Sequence, residues 1–237
     1  MARFLLIHGS CHGAWCWRDV LPLLRAAGHT ANAIDLPSHG DDPTPVGEVT
    51  LERYAQAIVD AITDPVILVG HSMGGYPITR AAEMAPEKIQ RLVYLCAYTP
   101  WKGFSLAQMR KAAPRQPLLE AMIKSDDQLS ITFDPLMIED KFYHDCPPGT
   151  VDYARQHLCA QAIQPNEVPV EITQNSAGKP RSYIVCNHDH AIPPEFQREM
   201  AARFAPQDVR EMDISHSPFF ADPDGLAKNL IEISEMT

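Results

Sequence analysis

Residues 66–74 read Val66-Ile67-Leu68-Val69-Gly70-His71-Ser72-Met73-Gly74. Four consecutive apolar residues, three of them β-branched, describe a strand buried on both faces. Ile78, Ala81, Ala82 and Ala85 then repeat at helical spacing. Between strand and helix stands Gly-x-Ser-x-Gly, the sharp turn that lifts a serine hydroxyl clear of a parallel sheet. The nucleophile in such a turn takes a strained backbone conformation. The residues two before and two after it come close together, so Gly70 and Gly74 must lack side chains.

The same rhythm extends in both directions. Phe4 to Ile7 reads as a buried strand and Trp15 to Ala27 as a helix stopped by Gly28. Thr30 to Ile34 is a strand, and Thr50 caps a helix marked by Leu51, Tyr54, Ala55, Ile58 and Ile62. Ile89 to Leu95 is the fourth strand. From about Pro100 to Pro180 the alternation stops, and short helical patterns and scattered prolines take its place. It resumes with Arg181 to Cys186 (strand), Pro194 to Phe204 (helix), Val209 to Ile214 (strand) and a last helix after Asp222-Pro223. This is an α/β chain with a parallel sheet between helices. Residues 1–99 and 181–237 form its core, and residues 100–180 form a cap inserted after the fourth strand, over one end of the sheet.

A serine nucleophile needs a base and an acid, which in this kind of fold follow in the order Ser, acid, His. His216 follows the last strand and is the only histidine after His190. Asp189 follows the Arg181–Cys186 strand. Its rival Asp213 is only three residues before His216 and lies in or at the end of a strand, which commits its side chain to one face. The geometry of the fold therefore favours Ser72, Asp189 and His216. Donors for a developing oxyanion are expected from the backbone N–H of Met73 and, in the loop His8-Gly9-Ser10-Cys11-His12-Gly13, from that of Ser10. Gly9 would let the backbone and the substrate carbonyl come close. Cys11 and His12 are read as packing behind that loop. His188-Asp189-His190 invites a metal reading, but adjacent loop residues chelate one ion poorly and no third ligand cluster is apparent, so no metal is expected.

Composition narrows the function. Apolar residues make up 45% and charged residues 21% of the 237 residues, which excludes a disordered tail, a collagen and a coiled coil. Twenty basic against thirty acidic side chains give a net charge of −10, which makes nucleic acid and anionic membrane poor partners. None of the six cysteines forms a C-x-x-C pair, and all are read as thiols of a reducing compartment. No apolar run is long enough for a signal-peptide core or a membrane span. A cytoplasmic location follows as an expectation.

Three segments carry a resemblance: Ile7-His8-Gly9-Ser10-Cys11-His12-Gly13-Ala14-Trp15, Val69-Gly70-His71-Ser72-Met73-Gly74-Gly75, and Tyr183-Ile184-Val185-Cys186 with Asp189 and Ile192-Pro193-Pro194-Glu195-Phe196-Gln197. The chain resembles the α/β-hydrolases of the plant methylesterase and hydroxynitrile lyase family, the group that includes salicylic acid-binding methylesterases. The likeness runs from the first strand to the last helix and is weak between about 100 and 180. It implies a six-stranded, mainly parallel sheet with a helical cap, and it places the family's triad on Ser72, Asp189 and His216. The S-selective lyases of the group carry a lysine directly after the catalytic histidine, where this chain has Ser217. They carry threonine at the position of Gly9 and glutamate at that of His71, and an R-selective relative has asparagine at the position of Gly9. These departures point to the esterase branch.

The expected activity is therefore a serine carboxylesterase on small to medium carboxylic esters, working through an acyl-enzyme without a cofactor. Hydroxynitrile lyase and a non-catalytic ligand receptor are the alternatives, and lactone, thioester or amide cleavage would use the same groups. A small-molecule ester is the expected partner, with a homodimer as a possible assembly. Phe133, Phe142, Tyr143 and Leu158 are candidates for the apolar lining of the acyl pocket.

Overall fold

The computed structural model describes residues 1–236. Six strands form one sheet: β1 (Arg3–Ile7), β2 (Thr30–Ile34), β3 (Val66–His71), β4 (Ile89–Leu95), β8 (Arg181–Cys186) and β9 (Val209–Met212). Their order is β2-β1-β3-β4-β8-β9, and every neighbouring pair is parallel. Alternation along each strand sends side chains to two separate cores. Leu5, Ile7 and Leu68 pack with Tyr54 and Ile58 of α2 (Leu51–Ala61), Ile78 of α3 (Gly75–Met84) and Phe196 of α8 (Pro194–Ala201). Phe4, Leu6, Ile67 and Val69 pack on the other face with Leu24 of α1 (Val20–Ala26) and Leu230 of α9 (Pro223–Ser234). A sheet covered on both faces explains the near-continuous apolar runs of the central strands β1 and β3.

The helix expected from Trp15 to Ala27 is two pieces, a 3-10 turn at Ala14–Trp17 and then α1. Pro22 is the reason. A continuous helix would place it in the interior, whereas a restart at Val20 puts it in the first turn, where its missing N–H has no intrahelical partner to lose. The last strand ends at Met212 and not at Ile214, because its partner β8 ends at Cys186 in the same register. Helix α8 stops at Ala201, short of Phe204.

Between β4 and β8 the chain forms helices α4 (Leu106–Ala112), α5 (Thr150–His157), α6 (Gln164–Glu167) and α7 (Gln174–Ala177). It also forms a small antiparallel sheet, β5 (Met122–Lys124), β6 (Ser130–Phe133) and β7 (Gln161–Ala162), beyond the helices expected there. Strands of two to four residues are too short to show a period in sequence. The return to the core is clamped by Glu83 of α3. Its carboxylate accepts from the N–H and hydroxyl of Thr173, at 2.9 and 2.6 Å, and from the N–H and hydroxyl of Ser176. Among the described residues no helix is long and apolar enough to cross a membrane. All six cysteines are free thiols.

Candidate active site

Strand β3 runs straight into the turn that carries Ser72, whose φ of +55° lies in the left-handed region that non-glycine residues avoid. A Cβ on Gly70 would stand 2.7 Å from the Gly74 carbonyl, which is the close approach the motif anticipates. Gly74 is constrained from elsewhere: its Cβ would lie 2.8 Å from the carbonyl of His8, in the loop after β1. The two loops at the carboxyl ends of β1 and β3 are thus in backbone contact.

The loop after β8 brings Asp189 to His216. Nδ1 of His216 donates to Asp189 Oδ2 at 2.6 Å, and both side chains are essentially buried. The rest of the carboxylate is filled by other donors. Ala191 and Ile192 N–H groups reach Oδ1 at 2.6 and 2.8 Å, and Gln197 Nε2 reaches Oδ2 at 2.7 Å. Gln197 also accepts from the Cys186 N–H through Oε1, at 3.0 Å, tying this cluster to the end of β8. Asp213 is elsewhere, exposed and accepting from Asn187 Nδ2 at 2.6 Å. His188 and His190 are exposed, and His190 contacts Asp140 of the inserted segment.

The backbone of His216 is held as firmly as its ring. Its carbonyl accepts from His71 Nε2 at 2.8 Å, which fixes the His71 proton on Nε2 because a carbonyl can only accept. Burial, then the neighbouring His216 and His12, push the His71 pKa well below the usual histidine range, so the ring is neutral. Its Nδ1 is buried without a partner. A Cβ on Gly9 would lie 2.8 Å from that Nδ1 and 2.8 Å from Ser72 Cβ. Gly9 is therefore needed for the approach of the His71 and Ser72 side chains, and it does not itself line the cavity as the sequence suggested.

Two more neutral histidines brace the loop after β1. His8 Nδ1 donates to the Gly9 carbonyl at 2.9 Å, and the Leu36 N–H donates to Nε2 at 3.0 Å. The His12 N–H reaches the same Gly9 carbonyl at 3.3 Å. In a trans peptide the carbonyl and the following N–H point opposite ways, so these two donors fix the direction of the Ser10 N–H. His12 Nδ1 donates to the Ser10 carbonyl at 2.8 Å, and Tyr143 OH donates to His12 Nε2 at 2.7 Å. Burial takes the His12 pKa down to about 4, against its hydrogen bond to the Ser10 carbonyl and with help from His216 and His39. His12 is thus more than packing behind the loop.

Ser72, His216, Ser10 and Met73 meet at one cavity of about 30 Å³, walled by Phe133, Phe142, Ile131, Leu118 and Met122, with His12, His71, Tyr98, Arg110 and Asn166 also on its lining. Phe133 and Phe142 stand where the sequence reading put them, in edge contact at 4.9 Å between centroids. Tyr143 and Leu158 do not. Tyr143 is buried behind the wall with its hydroxyl spent on His12. Leu158 lines a separate apolar groove of about 380 Å³ with Cys11 and Ile138, on the far side of Phe133. Among the described residues one trio has metal-ligand atoms within 4.8 Å of one another, His71, Cys96 and His216. His71 Nε2 and Cys96 Sγ already donate to the His216 carbonyl, and His216 Nδ1 to Asp189, so most of these donors are committed.

Gln197, Arg110, Tyr98 and Asn166 were not singled out from sequence. Gln197 left a signal, a polar residue three and four positions before Met200 and Ala201 on a buried helix face. The other three come from separate elements, and only the tertiary fold brings them together.

The sequence profile of the Alpha/beta hydrolase family matches residues 4–229. The chain belongs to this family. It is 33% identical over 252 residues to Methylesterase 1 of Arabidopsis thaliana, covering 98% of this chain and 96% of that protein. It is 32% identical over 256 residues to Salicylic acid-binding protein 2 of Nicotiana tabacum, with 98% and 96% covered. Among solved structures, a pyrethroid hydrolase, PytH, superposes with a TM-score of 0.88 at 26% identity, covering 99% of this chain and 98% of that one. Polyneuridine aldehyde esterase superposes with a TM-score of 0.86 at 26% identity, covering 99% and 100%. The six-stranded sheet and the esterase-branch resemblance expected from sequence agree with these relatives.

Proposed function

We propose that this α/β-hydrolase is a serine carboxylesterase acting on small to medium esters. The observation that carries the reading is the buried 2.6 Å contact from His216 to Asp189, at a cavity that Ser72 shares. With Nδ1 donating to the carboxylate, Nε2 of His216 is the free acceptor that can take the Ser72 proton. Ser72 attacks the ester carbonyl, and the negative charge that develops on oxygen is met by the N–H groups of Ser10 and Met73. His216 then protonates the departing alkoxide. Water, deprotonated by the same ring, releases the acid from the acyl-enzyme. Asp189 keeps the tautomer and stabilises the imidazolium. The segment 100–180 acts as a cap that supplies Phe133 and Phe142 and keeps bulk water off the acyl-enzyme. The relatives named methylesterases and esterases support ester chemistry over the alternatives.

The test is a pair of assays on the purified protein. p-Nitrophenyl acetate should be hydrolysed, and mandelonitrile should release little cyanide above its spontaneous rate. Stereoselective cyanide release with negligible ester hydrolysis would reverse the assignment to a lyase, and silence in both would leave a ligand receptor.

A further inference from the structure

The catalytic cavity has a second polar group that the ester mechanism does not use. Arg110, on α4, reaches into the cavity among Leu106, Leu118, Met122, Ile131 and aromatic rings. It has no carboxylate within ion-pair distance among the described residues. Its Nη1 points at the Met122 thioether at 3.0 Å, a weak acceptor, and its buried Nε has no partner at all. Beside it on the same cavity stand the hydroxyl of Tyr98 and the side-chain amide of Asn166, neither of them hydrogen-bonded within the protein.

Proteins seldom leave a guanidinium half-buried against apolar side chains without a counter-charge, since an unpaired charge loses hydration with nothing in return. The contrast inside this chain is plain. Arg91 is more deeply buried, and it is paired with Asp208 at 2.7 Å and bonded to Ser182 at 2.8 Å. Arg110 has five donors in a planar fork that matches a carboxylate. Tyr98 and Asn166 add donors that converge on the same space. Met122 is unbranched and easily displaced, so its sulfur can give way to a better acceptor.

We infer that Arg110, with Tyr98 and Asn166, forms a carboxylate subsite, and that the preferred substrates are half-esters of dicarboxylic acids. The inference rests on the esterase reading and names its substrate class. One carboxyl, esterified, lies at Ser72. The other, ionised, lies on Arg110. A net charge of −10 repels anions at long range, so such a substrate needs a local cation of this kind to be held.

The measurement compares monomethyl succinate, glutarate and adipate with the dimethyl ester of each acid. The wild-type protein should favour the half-ester at one or more of these lengths by about tenfold or more in kcat/KM. Arg110→Met should abolish that preference, chiefly through KM, and Arg110→Lys should keep part of it, since the charge stays and the fork is lost. The free dicarboxylate of the favoured length should inhibit p-nitrophenyl acetate hydrolysis competitively in the wild type, a readout that needs no variant. Three results would each overturn the subsite: preference for the diester at all three lengths, a half-ester preference that survives Arg110→Met, or no inhibition by the dicarboxylates. Failure of the wild type to hydrolyse p-nitrophenyl acetate would strike the esterase reading itself, which keeps the two failures apart.

Discussion

Asp189 and Asp213 are both within reach of His216 along the chain, and the surroundings of each decide between them. Asp189 is buried and accepts from four donors, the His216 ring nitrogen among them, while Asp213 is exposed and accepts from Asn187. Asp189→Asn presents a donor amide to Nδ1 and favours the wrong tautomer, which should cost about 10⁴-fold in kcat. Asp213→Asn should leave kcat within about twofold, since exposed polar changes seldom perturb more than their surroundings. Equal losses in steady-state assays would reverse the assignment. Tyr143 acts at one remove. Tyr143→Phe strips His12 of its donor and loosens the Ser10 carbonyl, and it should lower kcat about tenfold, one hydrogen bond's worth, with KM for p-nitrophenyl acetate nearly unchanged. A change confined to KM would mean that the hydroxyl serves the pocket and not the loop.

At the scale of elements, the clearest device is the clamp of α3 on α7 through Glu83. Burial works to raise the Glu83 pKa, but the hydrogen bonds from Ser176 and Thr173 outweigh it and hold the carboxyl below its ordinary value. A carboxylate with a depressed folded pKa stabilises the fold above its unfolded pKa, and that stability is lost as pH falls through the folded value. Glu83→Gln should therefore lower the urea midpoint at neutral pH, by the equivalent of about 1–3 kcal/mol. The gap from wild type should close in acid, below the ordinary glutamate range. A gap that persists unchanged in acid would show that the ionised form carries none of the stability. The strands illustrate what sequence can reveal at this scale. Ile89–Leu95 and Arg181–Cys186 match to the residue, because buried parallel strands are short apolar runs with abrupt ends, and the half-exposed edge strand Thr30–Ile34 matches as well. The first helix was misjudged because the apolar pattern continues through Pro22 while the backbone cannot. The small sheet β5–β6–β7 leaves no sequence signal because its strands are too short to show alternation, and β7 pairs with β6 from some thirty residues away.

Over the whole molecule, the site gathers at the carboxyl ends of β1, β3, β8 and β9, where an open parallel sheet leaves its crevice. The turn at Ser72 and the pairing of Asp189 with His216 were legible because each depends on position relative to a strand. The wall of the cavity was not, because Tyr98, Arg110 and Asn166 are separated by up to 68 positions and meet only after the segment 100–180 folds back. The same folding turned Tyr143 inward to His12 and carried Leu158 to another groove. The central claim, that Ser72 is the nucleophile, is open to one direct measurement. A fluorophosphonate probe should form a single covalent adduct, located on Ser72 by peptide mass spectrometry, with loss of p-nitrophenyl acetate hydrolysis in proportion to labelling. An adduct on another residue, or full activity in protein labelled at Ser72, would contradict the account.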